Sequence, residues 1–294
     1  MDGVLVIDKP PGPTSHDVVD IVRRLVGMRR VGHVGTLDPA ATGVLPLVIG
    51  KATRLARFLA GDRKEYVATL LLGTRTKTFD LEGEVTESRA VRVTPDQVAR
   101  GVGSMIGTFF QSPPPFSAKK VGGARAYRLA RAGAAVAPPP VEVSLFECEL
   151  LDLTPPVIIV RLVSSAGFYV RALAEDLGQR LGTGACLQAL RRTRSGRFLI
   201  DTAVPLDHVI AAPEDAARRV IAMADLLPEL PGVPLTSEGI RRVSLGQDIG
   251  PGDMLAPTGV LAARVRLLTP DGMLVAVAER RPASGFLHPS VVLI

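Results

Sequence analysis

Apolar positions recur along the chain with two different periods. Val4 to Ile7 form a short continuous run, stopped by Pro10–Pro11–Gly12, and predict a buried strand. Thr14 stands three residues before Asp17, the spacing of a capping box. Val18, Val19, Ile21, Val22, Leu25 and Val26 then fall on one face of a helix. Residues 44–49 predict a second apolar strand, 51–60 a short helix, and Tyr66 to Leu72 a strand rich in β-formers. Thr94, Pro95 and Gln97 mark another helix start, with proline at the first helical position. Strands are predicted at 141–149 and 157–164. A helix follows from about Gly167, with Val170, Leu173, Leu177 and Leu181 along one side.

Residues 111–140 break this pattern. They open with QSPPPFSAKK, pass through the basic segment GGARAYRLARAG and close with APPPVEV. Prolines thus bracket a predicted basic helix that Gly133 should end, which reads as an inserted arm. Strands and helices alternate without regular βαβ units, so the expected class is α+β with a mainly antiparallel mixed sheet. A second region begins near residue 231, after LPELPGVP. It has a helical start at Thr236 to Val243 and short strands around the turn Pro270–Asp271–Gly272. Its length suits a small β-barrel accessory domain, giving expected domains of 1–230 and 231–294.

Composition narrows the possible functions. The 294 residues suit one large domain plus a small one, and 47% apolar residues suffice for a substantial core. No apolar run approaches the length of a bilayer span. The opening MDGVLVIDKP is too short and too acidic for a secretory signal. Cys148 and Cys186 stand alone, so neither a disulfide framework nor a metal site is expected, and the compartment expected is the cytoplasm. Lys and Arg outnumber Asp and Glu by 35 to 29. The surplus bunches at Arg23–Arg30, at Lys119, Lys120, Arg125, Arg128 and Arg131, and at Arg191–Arg197, as phosphate neutralisation would require. Solvated faces would produce the same bunching.

Candidate chemistry centres on VGHVGTLDPAATGVLP at 31–46, where Asp38 stands between glycines 35 and 43. Asp–Pro is ordinary turn chemistry. Glycines on both sides, however, let backbone approach a ligand closely and fix one side chain. A carboxylate so held acts as a nucleophile if a cationic neighbour keeps it ionised, and Arg171 is a candidate neighbour.

The stretch RRVGHVGTLDPAATGVLPLVIGKATR closely resembles the catalytic motif of the bacterial tRNA pseudouridine-55 synthases, the TruB family of pseudouridine synthases. VLVIDKPPGPTSHDVV resembles that family's N-terminal motif, KEYVATLLLG its Lys-x-Tyr strand and GTRTKTFDLEG the turn after it. QSPPPFSAKKVGGARAYRLARAG is similar to its RNA-gripping thumb, and FYVRALAEDLG and LQALRRTRSGRF to its two later motifs. These occur in family order over roughly residues 3–200. By the resemblance, the tail would be a PUA-like RNA-binding domain.

The resemblance implies site roles. Asp38 would attack an everted uridine, on the ribose or on the base. Tyr66 would stack on that base and serve a proton transfer. Arg171 would pair with Asp38. Tyr169 would contact substrate or support that pair, Leu190 would wall the base pocket, and His33 would take the space the nucleotide vacates and contact the RNA backbone. Asp80 would be an acid near the site, and Lys119 and Arg125 would hold RNA from the thumb. Lys9 and Pro10 would support the loop, and Lys64 would be structural or electrostatic. The implied partner is the tRNA T-arm stem-loop, bound by a monomer without cofactor or metal. Phe116 stands where many relatives carry tyrosine, which keeps a stacking surface and loses one hydroxyl. Two other functions would use the same surfaces: folding tRNA without chemistry, and modifying ribosomal RNA.

Overall fold

The computed structural model describes residues 1–61, 63–114, 116, 120–121, 124–125, 138–256 and 262–294. The chain opens with β1 (Gly3–Lys9), α1 (Ser15–Val26), β2 (Val31–His33) and β3 (Thr42–Ile49). A 3-10 turn leads into α2 (Ala56–Leu59), followed by β4 (Lys64–Leu72), the small hairpin β5 (Thr74–Thr76) and β6 (Val85–Ser88), and α3 (Pro95–Gly103). Next come β7 (Gly107–Gln111), the two-residue strands β8 (Lys120–Val121) and β9 (Ala124–Arg125), and the long pair β10 (Val141–Thr154) and β11 (Val157–Ser164). Helix α4 (Val170–Leu181) leads to β12 (Ala185–Ser195), β13 (Phe198–Leu199) and β14 (Val204–Pro205).

Both predicted capping boxes form. The Thr14 and Thr94 side chains each accept the backbone N–H of the residue three positions on, and Asp17 and Gln97 return the bond. Each box satisfies two amide donors that a helix start leaves orphaned. Gly27 in the left-handed region closes α1.

The main sheet runs β14–β1–β3–β12–β4–β11–β10–β7. Its pairs are antiparallel except β1 with β14 and β3 with β12. The expected mixed, mainly antiparallel sheet is therefore present. The late strand β12 lies between β3 and β4, so Arg192 is opposite both Gly43 and Tyr66. Sequence patterning did not predict β12, because the run LRRTRS within it has no strand periodicity.

Burial explains the two kinds of strand pattern. β4 alternates strictly, its even positions from Lys64 to Leu72 buried. They face the core that α1, α3 and α4 complete with Val18, Val22, Val98, Leu173 and Leu177. β1 and β3 read as unbroken apolar runs because both their faces are covered. Leu5, Ile7, Leu45 and Leu47 point to the helices. Val4, Val6, Val44 and Val48 join Leu55 and Leu59 on the other side, with Leu274, Val277, Val291 and Leu293 from the end of the chain.

Leu274, Val277 and Val291 belong to a separate sheet, reached through the short helices α5 (Leu206–Ala211) and α6 (Pro213–Arg218) and strand β15 (Ile221–Ala222). It comprises β16 (Gly232–Pro234), β17 (Arg264–Leu268), β18 (Leu274–Arg280) and β19 (Leu287–Val292), with α7 (Ser237–Ser244) packed on it. The strand order is linear, β16–β17–β18–β19. Among the described residues these strands form an open sheet, where the sequence had suggested a barrel. The sheet is bonded to the rest of the molecule: Arg54 donates to the Val292 carbonyl at 2.5 Å and Arg57 to that of Ser290 at 3.3 Å. Removing residues 232–294 would expose Val44, Val48 and Leu55, which are fully buried. The truncated chain is expected to lose its cooperative thermal transition. A melt as sharp as that of the full chain would show that the shared core is dispensable.

Candidate active site

Between β2 and β3 the chain forms a loop whose carbonyls converge on two buried cations. Lys9, with 0% exposure, donates from Nζ to the carbonyls of Pro10 at 2.9 Å, Pro39 at 2.9 Å and Ala41 at 2.8 Å. Arg192, with 1% exposure, donates from Nε to Val44 at 2.7 Å and from Nη2 to Gly35 at 3.0 Å. Neither has a carboxylate in ion-pair contact among the described residues. Burying such charges is unfavourable unless they are well bonded, and here loop carbonyls supply the bonds. Ser15 adds a reciprocal pair, its hydroxyl donating to the Leu37 carbonyl and accepting from the Leu37 N–H. Asp38 therefore sits on a backbone fixed from both sides.

The loop's glycines are needed where it meets β12. Gly43 has φ +98°, and a Cβ there would lie 2.2 Å from the Arg192 carbonyl oxygen. Gly35 has φ +80°, with Arg192 Nη1 3.3 Å from the place of its missing Cβ.

The Asp38 carboxylate meets Arg171, near the start of α4: Nε lies 3.0 Å from Oδ2. Nη1 of the same guanidinium reaches Asp80 Oδ2 at 3.2 Å and the Thr78 carbonyl at 3.2 Å, and Nη2 reaches the Phe116 carbonyl at 3.1 Å. Asp80 is held in turn by the Thr78 hydroxyl at 2.5 Å and the Glu82 N–H at 3.1 Å. The residue before it, Phe79, has φ +64°, a strained conformation for a bulky side chain at the edge of the site.

The electrostatics differ from the sequence expectation. Arg171 was expected to hold Asp38 low. Desolvation is the stronger influence and lifts the carboxyl above its ordinary 3.8, reinforced by Asp80 and opposed by Arg171 and Lys9. The side chain keeps 45% of its surface, but it lies down in a cleft where water is displaced on several sides. Lys9 is pulled down to about 8 by burial, against the attraction of Asp38.

This gives a pH prediction. Above about pH 8 the Lys9 amine is neutral and keeps two N–H donors for three carbonyl acceptors, so the loop loosens. A folded value below the unfolded 10.5 means that this group's penalty on folding is relieved as pH rises from 8 towards 10.5. A reaction that depends on Asp38 is therefore expected to slow through about pH 8 without any loss of stability from Lys9. Rate profiles and thermal melts over pH 6–10 check this, and a flat rate would refute it.

Around the carboxylate lies a cleft of about 240 Å³. Its lining includes Leu37, Asp38, Tyr66, Phe168, Tyr169, Val170, Arg171, Leu190 and Arg192. A carboxylate among aromatic and aliphatic walls suits a flat heterocycle that carries a sugar. The structure thus brings together Asp38, Tyr66, Tyr169, Arg171 and Leu190, and Asp80 joins them through Arg171. His33 does not line the cleft. It lies on β2, opposite Leu47, half-buried, with Nδ1 unpartnered among the described residues. Burial lowers its pKa, helped by Arg192 and His16. Lys119 and most of the predicted basic helix lie outside the described residues. Arg125 lies in β9, paired in backbone register with Lys120. Lys64 lines the cleft and donates to the Ala60 carbonyl at 2.8 Å. Sequence reading gave no site role to Arg192 or Phe168. Arg192 appeared only as part of a basic run, and nothing in that run tells which arginine points inward.

Comparison with known proteins shows the family. The model of the TruB family pseudouridylate synthase N-terminal domain matches residues 23–170, and that of the tRNA pseudouridylate synthase B C-terminal domain matches residues 171–227. The boundary between these two falls beside Arg171, whereas the sheet interleaves both parts. A tRNA pseudouridine synthase B from Syntrophotalea carbinolica is 44% identical over 261 residues, covering 88% of this chain and 85% of that protein. One from Solibacter usitatus is 42% identical over 296 residues, covering 100% of both. Among solved structures, a Cbf5–Nop10–Gar1 complex contains a chain that matches with TM-score 0.74 and 28% identity, covering 99% of this chain and 85% of that one.

Proposed function

The chain belongs to the TruB family of pseudouridylate synthases, and from that premise we propose that it isomerises uridine 55 in the T-arm loop of tRNA to pseudouridine. The enzyme class, a tRNA pseudouridine synthase, follows from full-length relatives of that name at 42% identity. The single observation that carries the site assignment is the Asp38–Arg171 pair, 3.0 Å apart, in a cleft walled by Tyr66 and Leu190.

In this reading the target nucleoside leaves its stack and enters the cleft. Eversion costs a few kcal/mol. Stacking on Tyr66 returns about 1–3 kcal/mol, which offsets much of it. The Asp38 carboxylate attacks and bonds to the nucleoside, the N1–C1′ bond breaks, the uracil turns within the cleft, a C5–C1′ bond replaces the broken one, and the bond to Asp38 breaks to return the free carboxylate. A proton leaves C5 and one is gained at N1, so the change is an isomerisation without net oxidation. Arg171 steadies the attacking carboxylate. Tyr169 and Leu190 hold the base, and His33 takes the space that the everted nucleotide leaves and contacts the RNA backbone. Lys119 and Arg125 contribute phosphate contacts from the 111–140 arm.

The remaining parts fit the same reading. Residues 1–230 act as the catalytic part, and 231–294 as a PUA-like accessory that presents exposed Arg241, Arg264 and Arg281 to RNA. The enzyme works as a cytoplasmic monomer. A ribosomal RNA substrate is disfavoured, since full-length relatives named for tRNA are 41–42% identical to this chain.

Incubation with an unmodified tRNA transcript, followed by chemical mapping of pseudouridine, tests the proposal. Modification at position 55 supports it. Modification elsewhere in the tRNA would overturn the site, and none would overturn the activity.

A further inference from the structure

Strand β7, whose last residue opens the segment 111–140 that the sequence marks as an inserted arm, turns two side chains towards the start of α4. Phe109 meets Phe168 edge-on, with ring centroids 6.3 Å apart at 77°. Gln111, 2% exposed, donates from Nε2 to the Tyr169 carbonyl at 3.1 Å and accepts the Tyr169 N–H at Oε1 at 2.8 Å. A glutamine amide carries one acceptor and a donor side by side, as a peptide unit does. Gln111 therefore pairs with Tyr169 as an additional strand residue would, across 58 positions of sequence.

What Gln111 holds is the N-cap of α4. Tyr169 is the N-cap of the helix without a capping bond from its side chain, and its carbonyl also accepts the first helical bond, from Leu173 N–H at 3.2 Å. Arg171 leaves the helix two residues on, and its guanidinium touches the Phe116 carbonyl at 3.1 Å, five residues beyond Gln111. The root of the arm thus grips both ends of the segment that aims the guanidinium. Gln111 is not part of the cleft wall and has no direct contact with Asp38.

We propose that Gln111 is a positioning residue for the reaction, fixing the start of α4 so that Arg171 meets Asp38. This inference rests on the proposed function. It assigns a buried polar side chain that neither patterning nor the motif roles had used.

The test compares wild type with Gln111→Ala and Gln111→Glu, by single-turnover pseudouridine formation on tRNA across pH, tRNA binding and thermal melting. Both variants are expected to lose rate by roughly tenfold to a hundredfold, as a slightly misplaced catalytic group does. Binding should stay within about twofold of wild type, because the residue touches no substrate. The acid limb should move to higher pH, since Asp38 keeps Asp80 and Lys9 as neighbours but loses part of the Arg171 attraction. A purely structural role would lower the melting temperature and leave the rate of the folded enzyme and its acid limb unmoved; that result overturns the proposal. If Gln111→Ala does not fold, Gln111→Glu carries the test. It preserves volume and the bond from Tyr169 N–H, and sets an oxygen against the Tyr169 carbonyl. An inactive wild type would count against the proposed function. An active wild type with unaffected variants would count against Gln111 alone.

Discussion

Asp38→Asn is expected to reduce pseudouridine formation by roughly 10⁴-fold or more while tRNA binding stays within about tenfold, because an amide keeps the shape of the carboxylate and loses its nucleophilicity. The stability of this variant is the less obvious part. Removing one partner of a buried ion pair ordinarily leaves a costly orphan charge. Here Arg171 retains Asp80 at 3.2 Å and the carbonyls of Thr78 and Phe116, so its charge keeps partners. On the other side, Asp38 is raised by desolvation. The unfolded chain therefore ionises it more readily, and its penalty on folding develops as pH rises through 3.8 to the folded value and persists above. The asparagine variant escapes that penalty. At neutral pH its melting temperature should equal or exceed that of wild type. A variant that still forms pseudouridine at a normal rate would show that Asp38 is not the nucleophile, and a clearly lowered melting temperature would show that the pair stabilises the fold.

Gly43→Ala should be among the most damaging single-methyl changes in the molecule. The new Cβ would lie 2.2 Å from the Arg192 carbonyl oxygen and 2.9 Å from its carbonyl carbon and nitrogen, all backbone atoms of a central strand. At φ +98° an alanine is also strained. Together these should cost at least about 2 kcal/mol of stability. Rate should fall as well, because the displaced strand carries Arg192, which bonds the carbonyls of Gly35 and Val44 on either side of Asp38. Gly103→Ala is the control: its Cβ meets nothing within 4 Å and its backbone is helical. That change should leave stability unaltered or raise it by up to about 1 kcal/mol. Urea unfolding of both variants decides the matter, and equal midpoints would remove the steric argument.

Local rules made much of the fold legible. The capping boxes at Thr14 and Thr94 form because they involve residues three apart, which no distant packing needs to arrange. β1, β3 and β4 were legible because continuous and alternating apolar runs report how many faces of a strand are covered. β12 was not, since its inward arginine is satisfied by carbonyls from residues some 150 positions away. The expected barrel at the end of the chain was likewise a matter of closure, which strand patterns do not encode. The motif residues Asp38, Tyr66, Arg171, Tyr169 and Leu190 converge on one cleft, whereas His33, in the same loop motif, lies outside its wall.

By itself the sequence determined the helix starts, the strand periods, the glycines beside Asp38 and membership in a family that works on uridine in RNA. Tertiary structure alone decided that Lys9 and Arg192 lie buried under the loop with backbone carbonyls as their hydrogen-bond acceptors, that desolvation outweighs Arg171 at Asp38, and that Gln111 pairs with the start of α4. The reason is physical: burial and hydrogen-bond partnership depend on which distant segments pack together, and a charged or amide side chain carries no mark in the sequence of the environment it will meet.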